Sequence, residues 1–525
     1  MPALSTPRGI GFARLFDYPA RFFPDKTALV DGEGAATFGE VDRMARGLAA
    51  TFARSGAGPG DRVALILPNC TPFIVTEIAV AFGGMVRVPL NIRFHVQEVL
   101  YALADCEPSV LVCTSDYAAE HGERLRSIGS LRAIVAVGDP LPGCIPWGQA
   151  VSEASETPRI DYAPDDPLII RYTGGTTGRA KGIVHTAESF LAINLDVLRE
   201  FAFRHDEVAL HLGHLSHGIN FMWGALYSLG ATQVLHERFD PRVVLSEIQR
   251  HGVTYIYMVP TMIYRLLRED DGAADVSTLR SFLYSSAPMP VPVLRQAIAR
   301  FGNIFRQVYT LSEAPVVTTM MRAEEHEDRE TPVGNRLASC GREILTMEIR
   351  LLDEEGREVA TGEVGEIVVR SRNNMSCYWR LPEETARTLV DGWVHTGDMA
   401  RRDEDGYLYL VDRKKDMIIT GALNVYPKEV EDALHLHPAV DQCAVIGVPD
   451  SEWGEIVKAF VVLKAGADAT AEALVEHCRG QLASYKKPRQ VAFVDSLPLS
   501  PIGKVSRAAL REQERRRAPG LAEGG

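Results

Sequence analysis

The sequence predicts an α/β chain. A large N-terminal part of parallel-rich sheets flanked by helices is followed by a small α+β domain. Three observations predict this. The chain has 525 residues, too many for one ordinary hydrophobic core. Short β-branched runs alternate with amphipathic stretches, the signature of strands covered on both faces by helices. A charge cluster, DRKKD (Asp412 to Asp416), precedes a segment with its own strand and helix pattern.

The elements follow in order. Phe38 to Ser55 reads as an amphipathic helix, VALIL (Val63 to Leu67) as a buried strand, and Pro72 to Phe82 as a second helix. RVPL (Arg87 to Leu90), Val96 to Ala104 and SVLVC (Ser109 to Cys113) continue the alternation. The most apolar stretch, Phe73 to Leu90, contains Glu77, Arg87 and two glycines, so a buried helix and strand are expected rather than a membrane span. After a hairpin-like run, GYLYLV, the strand MIIT opens the second domain. AVIGV, KAFVVL and RQVAFV predict further strands, and Glu472 to Leu482 a helix. The expected division is 1–411, a hinge at 412–415, and a mobile domain at 416–525. The charged, then Gly- and Ala-rich, tail is expected to fray.

Composition narrows the function. The formal net charge of −13 argues against a dedicated nucleic-acid binder, which needs a basic face. The 8 cysteines are scattered without CxxC spacing, as in a reducing cytosol. The N-terminus lacks a signal-length apolar run, so a cytoplasmic location without a transmembrane segment is expected. A homodimer is left open.

The most informative stretch is LIIRYTGGTTGRAKGIVHT, Leu168 to Thr186. An apolar strand runs into Thr173, Gly174, Gly175, Thr176, Thr177 and Gly178, with Lys181 beyond. Glycines let backbone N–H groups approach an anion, the threonine hydroxyls can donate to phosphate oxygens, and the lysine adds charge. This suits a nucleoside triphosphate, although it is not the Walker A pattern, and a Gly/Thr-rich surface turn is the plainer alternative. GWVHTGD places Asp398 after a tight turn, where it could accept hydrogen bonds from ribose hydroxyls. Arg413 lies near the start of the small domain, and PLSPIGK offers Lys504 on a loop.

The order YTGGTTGRAKG, SSAP, QVYTLSE, GWVHTGD, DRKKDMIITGALNVYP, PLSPIGK resembles the adenylate-forming superfamily, closest to its acyl-CoA synthetases, from about Phe38 to Arg507. The resemblance implies an ATP-dependent ligase that makes an acyl-adenylate and transfers the acyl group to CoA. An amine acceptor, a carrier protein, or a catalytically inactive nucleotide-binding protein are the alternatives. It also implies a β-barrel-like subdomain in the large domain and a small domain that caps the site.

The same resemblance gives roles to residues. The Thr173–Gly178 loop would hold the β- and γ-phosphates. Ser286, Ala287 and Pro288 would border the adenine and Tyr309 would stack on it, with Gln307, Thr310, Leu311 and Ser312 beside the nucleotide. Glu313 would bind Mg²⁺, and Asp398 and Arg413 the ribose. Lys504 would neutralise the clash between the acid's carboxylate and the α-phosphate; unit charges 4 Å apart repel by about 4 kcal/mol at an effective dielectric near 20. Lys415 would be the hinge about which the small domain turns, bringing Gly421 and Ala422 to the acceptor channel. His217, Gly218, Met222, Tyr284, Ser285 and Thr310 would line the acyl pocket. His217 reads equally well as a packed core histidine. His211 and His214 share its spacing but lack an acidic or cysteine partner, so no metal cluster is expected there.

Some positions depart from the family's pattern: Gly175 for Ser, Ala180 for Pro, His214 for Pro and Cys377 for Gly. Thr310 replaces a glycine and should narrow the acyl pocket, favouring a medium-chain, cyclic or aromatic acid. Ala422 replaces a glycine beside the expected pantetheine passage.

Overall fold

The structure is a computed structural model and describes residues 11–152, 159–173, 180–216, 220–420, 423–450, 452–499 and 505–517. The alternation read from the sequence resolves into two large sheets. One has eight strands, and its centre is parallel: Arg62–Ile66 lies between Val86–Pro89 and Val110–Thr114, with Ala133–Val137 beyond the latter. Pro167–Thr173 joins it parallel to Val86–Pro89, then returns antiparallel as Lys181–Thr186. The other sheet has nine strands, with a parallel core of Val208–His211, Tyr255–Met258, Ser281–Tyr284 and Phe305–Tyr309.

Local chemistry explains the helices. Phe38–Arg54 starts at Thr37, whose hydroxyl accepts from the Glu40 amide at 3.2 Å while the Glu40 carboxylate accepts from the Thr37 amide at 2.8 Å. This capping box satisfies two otherwise orphaned donors. Thr71–Phe82 is apolar nearly all round and buried from Phe73 to Phe82, as expected of a helix enclosed by other elements. The apolar stretch Phe73 to Leu90 is therefore a buried helix passing into the strand Val86–Pro89, as expected.

The barrel-like subdomain takes the form of a five-stranded antiparallel sheet containing Glu348–Leu352, Gly365–Arg370, Trp393–Arg402 and Leu408–Arg413. Beyond it, Val440–Asp450 and Gly454–Leu463 form a long hairpin, and Gln490–Phe493 adds a parallel strand. Helices Pro427–His435 and Ala471–Gln481 cover this sheet over a separate core of Ile418, Val430, Leu434, Val445 and Leu474. Among the described residues, no helix is long and apolar enough to cross a membrane, and all eight cysteines are free.

Candidate active site

Three adjacent parallel strands, Tyr255–Met258, Ser281–Tyr284 and Phe305–Tyr309, end together. Carboxyl ends of parallel strands are where open α/β sheets place ligands. Here they deliver Ser285, Ser286, Ala287 and Pro288 from one strand and Tyr309 to Glu313 from the next. Ser286 takes a left-handed backbone, φ +74°, and its hydroxyl lies 2.9 Å from the Tyr257 hydroxyl. Ser285 donates to the same Tyr257 oxygen at 3.2 Å.

Tyr309 is buried, and its hydroxyl donates to Asp398 Oδ2 at 2.7 Å. Burial first, and then the adjacent carboxylate, hold this hydroxyl well above its ordinary pKa, so it stays a donor. Asp398 sits opposite Arg413 in the register of the antiparallel sheet, and Arg413 Nε lies 3.0 Å from Asp398 Oδ1. Both carboxylate oxygens are thus aimed by protein donors. Asp398 strengthens the charged form of Arg413, and the Arg413 side chain is half exposed beside it.

Glu313 is held separately. Its Oε1 accepts from the Tyr378 hydroxyl at 2.7 Å, and its carbonyl accepts from the Met375 amide at 2.7 Å. The preceding carbonyl, of Ser312, meets His185 Nε2 at 2.9 Å. Burial pushes His185 down to about 3, so the ring is neutral and donates from Nε2. A half-buried carboxylate with a fixed backbone and a hard oxygen surface fits a Mg²⁺ ligand.

Lys181 pairs in register with Thr173, across the ends of the strands that the phosphate loop joins. Its ammonium lies 2.5 Å from Glu384 Oε2 and 5.0 Å from the Tyr378 ring centre. Arg171, two residues before Thr173, is buried on the face of the sheet that also carries Arg87 and His185. Burial lowers Arg171 to about 9, still charged at neutral pH. Glu77, from the buried helix Thr71–Phe82, pairs with Arg87, whose guanidinium also lies 4.2 Å from the Phe190 ring centre.

Of the predicted site residues, the structure brings together Tyr309, Asp398 and Arg413, and seats Ser312 and Glu313 on one turn. Gln307 is buried and accepts from Tyr284 at 3.1 Å, and the Tyr284 hydroxyl also lies 3.0 Å from His326. Met222 packs in the main core beside Trp223. Leu311 is partly buried against that core. Lys415 lies exposed in a single 3₁₀ turn, Lys414–Asp416. Gly174, Gly175, Thr176, Thr177, Gly178, His217, Gly218, Gly421, Ala422 and Lys504 lie outside the described residues, as does the Thr173 side chain. His211 does not face a site: its Nε2 lies 2.7 Å from Gln233 Oε1 within the core. Sequence reasoning missed Tyr378, Glu384 and Tyr257. Tyr378 follows the noted Cys377 by one position, but nothing in its neighbours announces a partner 65 residues away in the chain.

The comparisons with known proteins decide the family. The AMP-binding enzyme family model matches residues 16–379, and the model for the AMP-binding enzyme C-terminal domain matches residues 429–504. The chain belongs to the adenylate-forming superfamily. Within it, this ligase is an AMP-forming enzyme of the acyl-CoA synthetase family. It is 38% identical over 498 residues to a feruloyl-CoA synthase of an Amycolatopsis species, covering 94% of this chain and 97% of that protein. It is 36% identical over 509 residues to the medium/long-chain-fatty-acid–CoA ligase FadD8 of Mycobacterium tuberculosis, covering 93% and 87%. Among solved structures it resembles the amide bond synthetase McbA of Marinactinospora thermotolerans, with a TM-score of 0.86 and 29% identity, covering 95% of this chain and 99% of that one.

Proposed function

We propose that this ligase activates a medium-chain, cyclic or aromatic carboxylic acid with ATP and transfers the acyl group to CoA. In the first step a carboxylate oxygen of the acid bonds to the α-phosphorus of ATP. The bond from that phosphorus to the bridging oxygen breaks, and pyrophosphate leaves. In the second step the CoA sulfur attacks the acyl carbon, its proton is lost, and AMP departs. The observation that carries this reading is the locked carboxylate of Asp398. With Tyr309 and Arg413 occupying one edge of each oxygen, it presents a pre-aimed acceptor for two ribose hydroxyls, and catalysis gains from groups that need no reorganisation.

The remaining roles follow from position. The Thr173–Gly178 loop and Lys181 bind the β- and γ-phosphates, and Ser286, Ala287 and Pro288 border the base. Glu313 holds Mg²⁺, which when bound supplies positive charge to the phosphates. Lys504 brings a cation between the acid and the α-phosphate. Residues 1–411 form the large domain, 412–415 the hinge and 416–525 the mobile domain. Rotation about Lys415 withdraws Lys504 and brings Gly421 and Ala422 to the acceptor passage. His217, Gly218, Met222, Tyr284, Ser285 and Thr310 form the acyl side. The names of the relatives, one for feruloyl and one for medium- and long-chain fatty acids, support the range of acids.

Transfer to an amine is the second reading. The likeness to an amide bond synthetase and the methyl group of Ala422, where a glycine is usual, favour it. One experiment separates them. Pyrophosphate release is followed over a panel of fatty, cyclic and aryl acids, with CoA or amines added, and products are weighed by mass spectrometry. A CoA thioester supports the first reading and an amide the second. An absence of acid-dependent pyrophosphate release with every acid would overturn both.

A further inference from the structure

The turn that carries Glu313 is cross-braced from inside. Thr310 Oγ1 accepts from the Val316 amide at 2.7 Å, closing residues 310–316 into a ring with Glu313 at its midpoint. Val316 has φ +75°, and it is the only β-branched residue in that region among the described residues. A β-branched side chain in the left-handed conformation is strained, and such strain persists only where the surroundings over-determine it. Val316 is buried, so its amide has no water to fall back on if Thr310 lets go.

The rest of the turn is gripped from outside. His185 reaches the Ser312 carbonyl at 2.9 Å, Met375 the Glu313 carbonyl at 2.7 Å, and the Thr318 hydroxyl the Ala314 carbonyl at 2.8 Å. These contacts hold carbonyls. Alongside the backbone bond from the Thr318 amide to the Tyr309 carbonyl at 3.1 Å, the Thr310 hydroxyl ties the two ends of the turn through the Val316 amide. Its hydroxyl is therefore committed to the turn, where the family usually has a glycine that could make no such bond.

We propose that Thr310 is a positioning residue whose hydroxyl, by holding the strained Val316 amide, sets the Glu313 carboxylate for its metal ion. The inference rests on the reading of Glu313 as the Mg²⁺ ligand. It changes what Thr310 does in that reading: the hydroxyl matters for metal use, beyond any narrowing of the acyl pocket by side-chain volume.

The test is a Mg²⁺ titration of pyrophosphate release in four variants. Thr310→Val keeps the shape and removes the acceptor. It should raise the Mg²⁺ concentration for half-maximal rate about tenfold, the size of one lost bond to a buried amide, with the ranking of acids unchanged. Thr310→Ser should recover most of the loss. Val316→Gly added to Thr310→Val should also recover it, because glycine takes positive φ without strain. A wild-type Mg²⁺ titration for Thr310→Val would overturn the proposal. So would a change confined to acid preference in Thr310→Val and Thr310→Gly alike, which is the outcome expected of a pocket wall. If Thr310→Val does not fold, restored folding in the double variant supports the coupling, and failure to restore it overturns it. Glu313→Gln is the separate control: an unchanged Mg²⁺ titration there would remove the reading of Glu313 itself.

Discussion

Two clusters of paired charge are built differently. In the large domain Glu77 pairs with Arg87, and Arg171 lies nearby on the same sheet face; all three are fully buried on a helix and two strands of one layered core. At the expected hinge, Arg507 reaches Asp412 at 2.8 Å, Asp416 at 3.7 Å and Glu431 at 2.9 Å, and Arg511 reaches Asp416 at 2.8 Å. The first cluster joins elements that cannot separate without opening the core. The second joins the chain just before and just after Lys415 to the last helix, Arg507–Arg517, which directly follows the Lys504 segment. Asp412 also accepts from the Lys428 amide at 2.9 Å. A rotation at Lys415 would exchange partners of Asp412 and leave those of Glu431 in place. The contrast suggests a fixed platform for the nucleotide and a movable carrier for the reacting cation.

The sharpest way to break this contrast is to remove what the carrier delivers. Lys504→Ala should lower acid-dependent pyrophosphate release by about a hundredfold or more, since losing one electrostatic donor costs roughly 3 kcal/mol of transition-state stabilisation. ATP binding, measured by calorimetry, should remain detectable, because the platform is intact. A normal adenylation rate would refute the assignment.

The carrier's motion is tested apart from its cargo by Lys415→Pro. Proline fixes φ near −65° and stiffens the turn Lys414–Asp416 at its middle. Adenylate should still accumulate, seen as pyrophosphate release, while thioester formation falls by at least about tenfold. Equal loss of both steps would point to local damage, and loss of neither would remove the hinge.

The platform is tested by Glu77→Gln. This leaves the guanidinium of Arg87 without its paired carboxylate inside the core, and breaking a buried ion pair costs about 3–5 kcal/mol. Chemical denaturation should show that loss in the large domain. A loss under about 1 kcal/mol would mean that water reaches the cluster.

These differences show where the sequence was legible. Element positions came through because burial is periodic: the helix expected over Phe38 to Ser55 is Phe38–Arg54, and the strand expected over Val63 to Leu67 is Arg62–Ile66. Asp398 and Arg413 were legible one at a time, through family resemblance. Their cross-strand register was not, because it depends on a shift in pairing between Met399 and Ala400 that no residue pattern announces. Glu77 and Arg87 stood out as interruptions of an apolar stretch, yet pairing across a helix and a strand has no sequence period. The Thr310 brace was hidden for a different reason: a backbone at positive φ on a valine contradicts local preference, and only the surrounding turn imposes it.

The smallest expected effect concerns acid. Burial pushes His185 down to about 3, and His211 and His326 down to about 4, all within the large domain. A free histidine titrates near 6.5, so the unfolded chain takes up these protons first. The neutral rings therefore cost the folded state nothing above about pH 6.5, and stability falls as pH drops from there towards the depressed values. Each such ring contributes a slope of about 1.4 kcal/mol per pH unit inside its window. His185→Gln keeps a donor for the Ser312 carbonyl but removes one titration. Its stability, measured by denaturation at pH 7 and pH 5, should fall less steeply than that of the parent by about that slope. An identical pH dependence would mean that His185 meets water or an acid in the folded state, and that the turn holding Glu313 is less tightly enclosed than the platform it belongs to.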